Sequence, residues 1–375
     1  MKVVVAIDSF KGSLTSLEAG DAIKKAILRR NSDAEVIVRP IADGGEGTVD
    51  AMCLGLNGEI VKICVCGPLG EQVQAKYCIV DGTTAVIEMA EAAGLPLVQP
   101  ELRNPMNTTT YGVGELIRNA INRGCRSFII GIGGSATNDG GVGMLSALGF
   151  EFFDKHGKTI PQGAKGLESL HSISNKNAMP ELKECSFNIA CDVTNPLCGE
   201  KGCSAVYAPQ KGALPEDIKL MDAWLSKYAE IAKSVFPNAQ PNYPGSGAAG
   251  GLGFALMTFL GGVLESGIKI ILSKTRLEEY VKTADIVVTG EGRLDSQSIM
   301  GKAPIGVATI AKKYGKRVIA FAGCVTEDAE VCNKHGIDAF FPILRVITTL
   351  KDALDKENAY KNLEATAYQV FGLIK

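Results

Sequence analysis

What the sequence lacks narrows its function first. Histidine is scarce, with three copies at His156, His171 and His335, and the 11 cysteines form no C-x-x-C pair. A structural zinc site needs four closely spaced ligands, which neither Cys64/Cys66 nor Cys198/Cys203 supplies, so zinc is not expected. No run of Lys and Arg is long enough to track a phosphate backbone, and the 39 bases nearly balance the 41 acids, so nucleic acid is not an expected partner. There is no G-x-x-x-x-G-K-[ST] and hence no P-loop. Residues 247–264 form an uncharged stretch of membrane-spanning length, but it holds six glycines and lacks flanking Lys/Arg clusters or an aromatic belt. A helix buried against a glycine-rich surface is expected there, not a membrane span. No signal peptide precedes the first strand-like run, and odd, scattered thiols suit a reducing compartment, so the expected location is cytoplasmic.

What remains is the composition of a chain that buries a full core: 46% apolar and 21% charged residues over 375 positions, enough for two or three domains. Short β-branched runs recur at residues 3–7, 35–38, 127–130, 187–190, 285–289 and 317–321. Each ends in a polar or glycine-rich loop. Continuous apolar runs predict strands covered on both faces, as in a parallel sheet. Between several of them lie helix-period segments such as residues 17–30, which Ser16 could cap, together with 113–121 and 305–313. The predicted fold class is therefore α/β with βαβ units.

Residues 61–66, 73–80 and 84–89 instead read as hairpin strands, turning at Gly67-Pro68 and Asp81-Gly82, and Pro215–Val235 reads as one long helix. The expected architecture is a Rossmann-like parallel-sheet domain from residues 1–60 plus 283–375, with 107–148 as an optional addition. Residues 61–282 would form an inserted mixed α/β domain, with the active site in the cleft between the two.

Open parallel sheets bind ligands beyond the carboxyl ends of their strands. Acids stand at several of those ends: Asp8, Asp43 with Glu46, Asp192, and Glu291 followed by Asp295. Any one of them could be a turn or cap residue. As a set they would repel one another unless a cation joined them, and Mg²⁺ suits an oxygen-rich, His-poor site. That pattern favours phosphoryl transfer. Between a strand and a helix-like run, residues 131–141 read G-I-G-G-S-A-T-N-D-G-G. Such a loop lets backbone N–H groups approach an anion, so Gly133, Gly134, Ser135, Thr137 and Asn138 are the candidate phosphate contacts, an ordinary tight loop being the alternative. Gly245, Gly247 and Gly250 spell G-x-G-x-x-G, but no strand precedes them, so a dinucleotide fold is weakly supported. Lys11, Lys211, Arg293 and Lys302 lie beside these loops. Arg293, between Glu291 and Asp295, is placed to clamp a carboxylate or phosphate.

In order along the chain, Asp8-Ser9-Phe10-Lys11, Ala42-Asp43-Gly44-Gly45-Glu46-Gly47-Thr48, Gly67-Pro68-Leu69-Gly70 and Thr109-Thr110-Tyr111-Gly112-Val113-Gly114-Glu115-Leu116 are followed by the 131–141 loop. Then come Cys191-Asp192-Val193-Thr194-Asn195-Pro196-Leu197, Pro209-Gln210-Lys211-Gly212-Ala213, Gly247-Ala248-Ala249-Gly250-Gly251, residues 289–298 and Gly301-Lys302. This ordered set resembles the type I glycerate kinase family along essentially the whole chain. Ile7-Asp8-Ser9 stands where members often begin Pro-Asp-Ser, with Asp8 retained.

The resemblance implies ATP-dependent phosphorylation of D-glycerate at its 2-hydroxyl, giving 2-phosphoglycerate. Chemistry assigns the parts as follows. Asp8, Lys11, Asp192 and Arg293 are catalytic candidates, and Ser9, Asn195, Lys211 and Glu291 are substrate contacts. Asp43, Glu46, Asp192 and Asp295 are Mg²⁺ ligands, from which a subset would be drawn. The alternatives are an NAD-dependent hydroxy-acid dehydrogenase and a non-catalytic phospholigand-binding protein. Homo-oligomerisation is left open.

Overall fold

The structure, a computed structural model, describes residues 1–42, 45 and 47–374. In chain order the strands are β1 (Lys2–Val5), β2 (Glu35–Val38), β3 (Glu59–Cys66), β4 (Gln72–Val80), β5 (Thr84–Glu88), β6 (Ser127–Gly131) and β7 (Glu151–Phe153). They continue with β8 (Ser172–Ser174), β9 (Ser186–Ala190), β10 (Val263–Glu265), β11 (Ile286–Leu294), β12 (Arg317–Val325) and β13 (Ala339–Pro342). The chain divides into two compact units, one comprising 1–43, 50–57 and 268–375, the other 44–49 and 58–267. Residues 107–148, the optional addition to the domain of chain ends, belong to the second unit.

The first unit is a five-stranded parallel sheet in the order β13-β12-β11-β1-β2. Its strands alternate faces. Val3, Val5, Ile7, Ile286, Val288, Ile319 and Phe321 share one core with the helices Ser16–Arg30 and Lys356–Val370. The helix Ala303–Lys313 packs on β11 and β12. Renumbered within the unit the order is 2-1-3-4-5, so the direction of winding reverses between β1 and β11, where doubly wound sheets place ligands. The first helix is capped by Thr15, not by Ser16. Thr15 Oγ1 accepts the Glu18 N–H at 3.3 Å while Glu18 reaches back to the Thr15 N–H at 3.1 Å. Ser16 is buried, one residue inside the helix, where its hydroxyl cannot play that part.

The second unit holds a six-stranded sheet, β10-β9-β6-β5-β4-β3. The hairpins β3–β4 and β4–β5 are antiparallel, and β5, β6, β9 and β10 run parallel. A small β7–β8 ribbon stands apart from it. The uncharged stretch forms the helix Ala248–Leu260, whose Phe254 and Phe259 pack on Tyr228 of the long helix Pro215–Val235. Among the described residues no helix is long and apolar enough to cross a membrane.

Candidate active site

In the first unit the acids converge on the point where the winding reverses. Asp8 follows β1 and is buried. Its N–H donates to the Gly290 carbonyl at 3.0 Å, and its Oδ1 accepts the Ser9 N–H at 2.6 Å. The loop carrying Phe10 and exposed Lys11 lies against β11, since a Cβ at Gly292 would stand 3.3 Å from the Lys11 nitrogen.

Glu291, Arg293 and Asp295 follow the period of a strand, which sends alternate side chains to one face. The cation joining the two acids, however, is Lys302 and not Arg293. Its Nζ lies 3.5 Å from Glu291 Oε2 and 3.7 Å from Asp295 Oδ1. Among the described residues Arg293 pairs with Asp295 alone, at 3.2 Å, and its side chain is 63% exposed, so the long guanidinium arm stays in water. Glu291 also accepts the Ser298 hydroxyl at 2.5 Å. Burial raises its pKa, with Ser298 and Lys302 opposing the shift. Asp295 doubles as the cap of the turn Ser296–Ile299.

In the second unit the glycine loop leaves β6 and splits into two parts. Gly133 and Gly134 are exposed and can present backbone N–H groups. Thr137 and Asn138 are fully buried, and Asn138 Nδ2 donates to Ser204 at 2.9 Å. These two side chains therefore do not face a phosphate, contrary to expectation. Lys211 is likewise inside, 2% exposed, donating at 2.7 Å to both Ser135 Oγ and the Thr137 carbonyl. In this arrangement it fastens the loop. Burial lowers its pKa to about 8, against the pull of Cys203 and Asp139.

Beside it, fully buried Asp139 accepts four donors: the Thr110 N–H and hydroxyl (2.8 Å each), the Gly141 N–H (3.1 Å) and the Gly143 N–H (3.3 Å). Thr108 adds a hydroxyl bond to the Ala136 carbonyl at 2.9 Å. The threonine motif thus holds the loop in place.

The G-x-G-x-x-G match has a packing explanation. A Cβ at Gly250 would stand 2.1 Å from the Thr137 carbonyl, and one at Gly247 2.1 Å from that of Pro196. Gly250 also needs its φ of +66°. Asn195, expected at the substrate, has its amide committed at both ends, donating to the Lys201 carbonyl (2.8 Å) and accepting from the Tyr207 hydroxyl (2.6 Å). Asp192 is exposed after β9 and accepts the Gly267 N–H at 3.1 Å.

Sequence reasoning missed Glu88. It ends β5 and is buried, its carboxylate accepting the N–H groups of Val49 (2.7 Å) and Gly47 (3.3 Å). Burial is the main cause of a pKa raised to about 7. Its position as an acid at a strand end was the available signal.

Asp43 and Glu46 lie outside the described residues. Among the described residues no three His, Cys, Asp or Glu side chains gather as a ready-made metal site. Mg²⁺ needs none, since one or two carboxylates plus substrate phosphates suffice.

Comparison with known proteins places these features. The model of the glycerate kinase family matches residues 3–375. A Haemophilus influenzae protein named glycerate kinase is 50% identical over 99% of this chain and 98% of its own. An Escherichia coli protein named glycerate 2-kinase is also 50% identical, over 97% and 95%. A crystal structure from Salmonella typhimurium LT2, provisionally named glycerate kinase 2, superposes with a TM-score of 0.90 at 48% identity, covering 100% of this chain and 98% of that one.

Proposed function

The chain belongs to the glycerate kinase family, and from that premise we propose that it transfers the γ-phosphoryl group of ATP to the 2-hydroxyl of D-glycerate, giving 2-phosphoglycerate and ADP. The observation that carries this reading is the full-length, 50% identity to a protein named glycerate 2-kinase. The geometry supports it with acids and a lysine at the strand ends of one sheet and an anion-receiving glycine loop on the other. Neither the dehydrogenase nor the non-catalytic reading finds support among the relatives.

In the reaction the glycerate hydroxyl oxygen bonds to the γ-phosphorus as the bond to the bridging oxygen of ADP breaks, and the hydroxyl proton passes to a carboxylate, Asp8 or Asp192. Lys11, Arg293 and Lys302 offset the charge on the transferring group and the glycerate carboxylate. Ser9 and Glu291 help orient the substrate. The N–H groups of Gly133 and Gly134, with Ser135, receive nucleotide phosphate. Positioning and electrostatics carry such transfers, so no histidine base is needed. Mg²⁺, when bound, neutralises phosphate oxygens. Asp192 suits it better than Asp295, which already pairs with Arg293 and Lys302. Eleven free thiols fit the cytosol as its compartment.

Incubation with ATP, Mg²⁺ and D-glycerate, followed by ³¹P NMR, tests the reading. A 2-phosphoglycerate signal is expected. The 3-isomer overturns the regiochemistry, and no phosphoglycerate at all overturns the activity.

A further inference from the structure

Glu88 sits where two motif loops approach one short segment. On one side, its two carboxylate oxygens take the N–H groups of Gly47 and Val49, and Thr48 closes the same turn with its N–H (3.3 Å) and hydroxyl (2.8 Å) on the Gly45 carbonyl. On the other side, residues 88–95 run along the glycine loop. Glu88 pairs in register with Gly131, and the Met89 N–H donates to the Gly131 carbonyl at 2.9 Å. The Leu95 N–H donates to the Gly134 carbonyl at 2.8 Å, and the Ala136 N–H to that of Ala93 at 2.9 Å. One backbone segment thus walls the exposed glycines, and its first side chain grips residues 47–49.

A buried carboxylate is costly to desolvate, so two backbone donors are a strong constraint on where that turn can go. Lys76 and Glu91 are the other charged groups felt by Glu88, and they oppose each other.

We propose that Glu88 is a positioning residue for phosphoryl transfer, holding residues 47–49 in fixed register with the glycine loop without itself touching substrate. The proposal rests on the kinase reading above.

Glu88→Gln keeps the shape but replaces one acceptor oxygen with an amide that faces an N–H donor. It is expected to lower kcat by roughly tenfold to a hundredfold, the scale of a small misplacement, while leaving the glycerate KM near its wild-type value. Hydrogen exchange at the Gly47 and Val49 amides, followed by NMR, is expected to be slow in the wild type and faster in the variant.

Wild-type kcat in a folded Glu88→Gln protein overturns the proposal. So does exchange of both wild-type amides at the unprotected rate, a result that needs no variant to fold. Glu88→Asp, which keeps the charge but shortens the reach, is expected to lose kcat as well, and full activity in it counts against positioning. Wild-type protein inert toward D-glycerate sinks the kinase reading alone, because the exchange measurement judges the grip of Glu88 independently.

Discussion

The parallel and the mixed sheet put charge at the same place, beyond the carboxyl ends of their parallel strands, and use it in opposite ways. In the five-stranded sheet the charges face one another. Glu291 and Asp295 stand beside Lys302 and a largely exposed Arg293, with ion pairs 3.2 to 3.7 Å long, and buried Asp8 follows the neighbouring strand β1. In the six-stranded sheet Glu88, Asp139 and Lys211 are buried and address backbone groups and hydroxyls, at 2.7 to 3.3 Å. Loose pairs near water can exchange partners for a ligand. Tight bonds to the main chain cannot, so they hold a loop in shape. Neither residue type nor burial decides between the two uses, since Asp8, Glu291 and Asp295 are buried as well; the partner does, a side-chain cation in one sheet and main-chain groups or hydroxyls in the other.

The sharpest test of that contrast is to neutralise one acid on each side. Asp8→Asn is expected to lower kcat/KM by roughly 10²–10³ with little change in melting temperature, because an amide oxygen can still accept from Ser9. Steady-state kinetics and calorimetry on the same preparation read both. Asp139→Asn should do the reverse. It turns an amide toward buried donors, destabilises the protein by on the order of 3 kcal/mol, and lowers the melting temperature by roughly 6–12 °C. If Asp139→Asn melted like the wild type, the structural use of charge in this sheet would be refuted.

Lys211→Met addresses the buried cation through pH. The native ammonium loses its proton near about 8, whereas the unfolded side chain holds it until about 10.5. Between those values the unfolded state binds more protons, so wild-type stability rises with pH relative to the variant, and below about 8 the difference is flat. Urea midpoints across this range check the slope. Arg293→Ala should lower activity while shifting stability by less than about 1 kcal/mol, as an exposed pair would. At the small end, Thr15→Ala removes a helix cap, for a loss of about 1 kcal/mol by chemical denaturation.

Much of the fold was legible because apolar runs and helical spacing are dictated by burial. The long helix Pro215–Val235 and the hairpin turns at Gly67-Pro68 and Asp81-Gly82 appear where the patterns put them. The acids at the strand ends were legible for the same reason, since the ends of the runs are visible. What was not legible is direction. Thr137 and Asn138 stand in a loop rich in donors and Lys211 in the distant Pro209–Lys211 turn, and nothing local says that their side chains turn inward. That is set by Ser204 and by helices far along the chain. The engagement of Asn195 was equally hidden, because its partners Lys201 and Tyr207 lie within its own segment. Lys302 took the place given to Arg293 because the shorter cation sits over the strand end while the guanidinium reaches water. The step from Ser16 to Thr15 is the usual one-residue uncertainty of a helix start.

The first sheet also imposes a schedule on biosynthesis. β1 is bonded on one side to β2, which follows at once, and on the other to β11, with the Lys2 N–H donating to Asp285 across 283 positions. At elongation rates of about 5–20 residues per second, β1 waits roughly 15–60 s on the ribosome for that neighbour. During this time Val3, Val4, Val5 and Ile7, all fully enclosed in the finished protein, lack the strand that flanks β1 on one side. A stall late in translation would therefore release β1 with one edge of its sheet still unpaired.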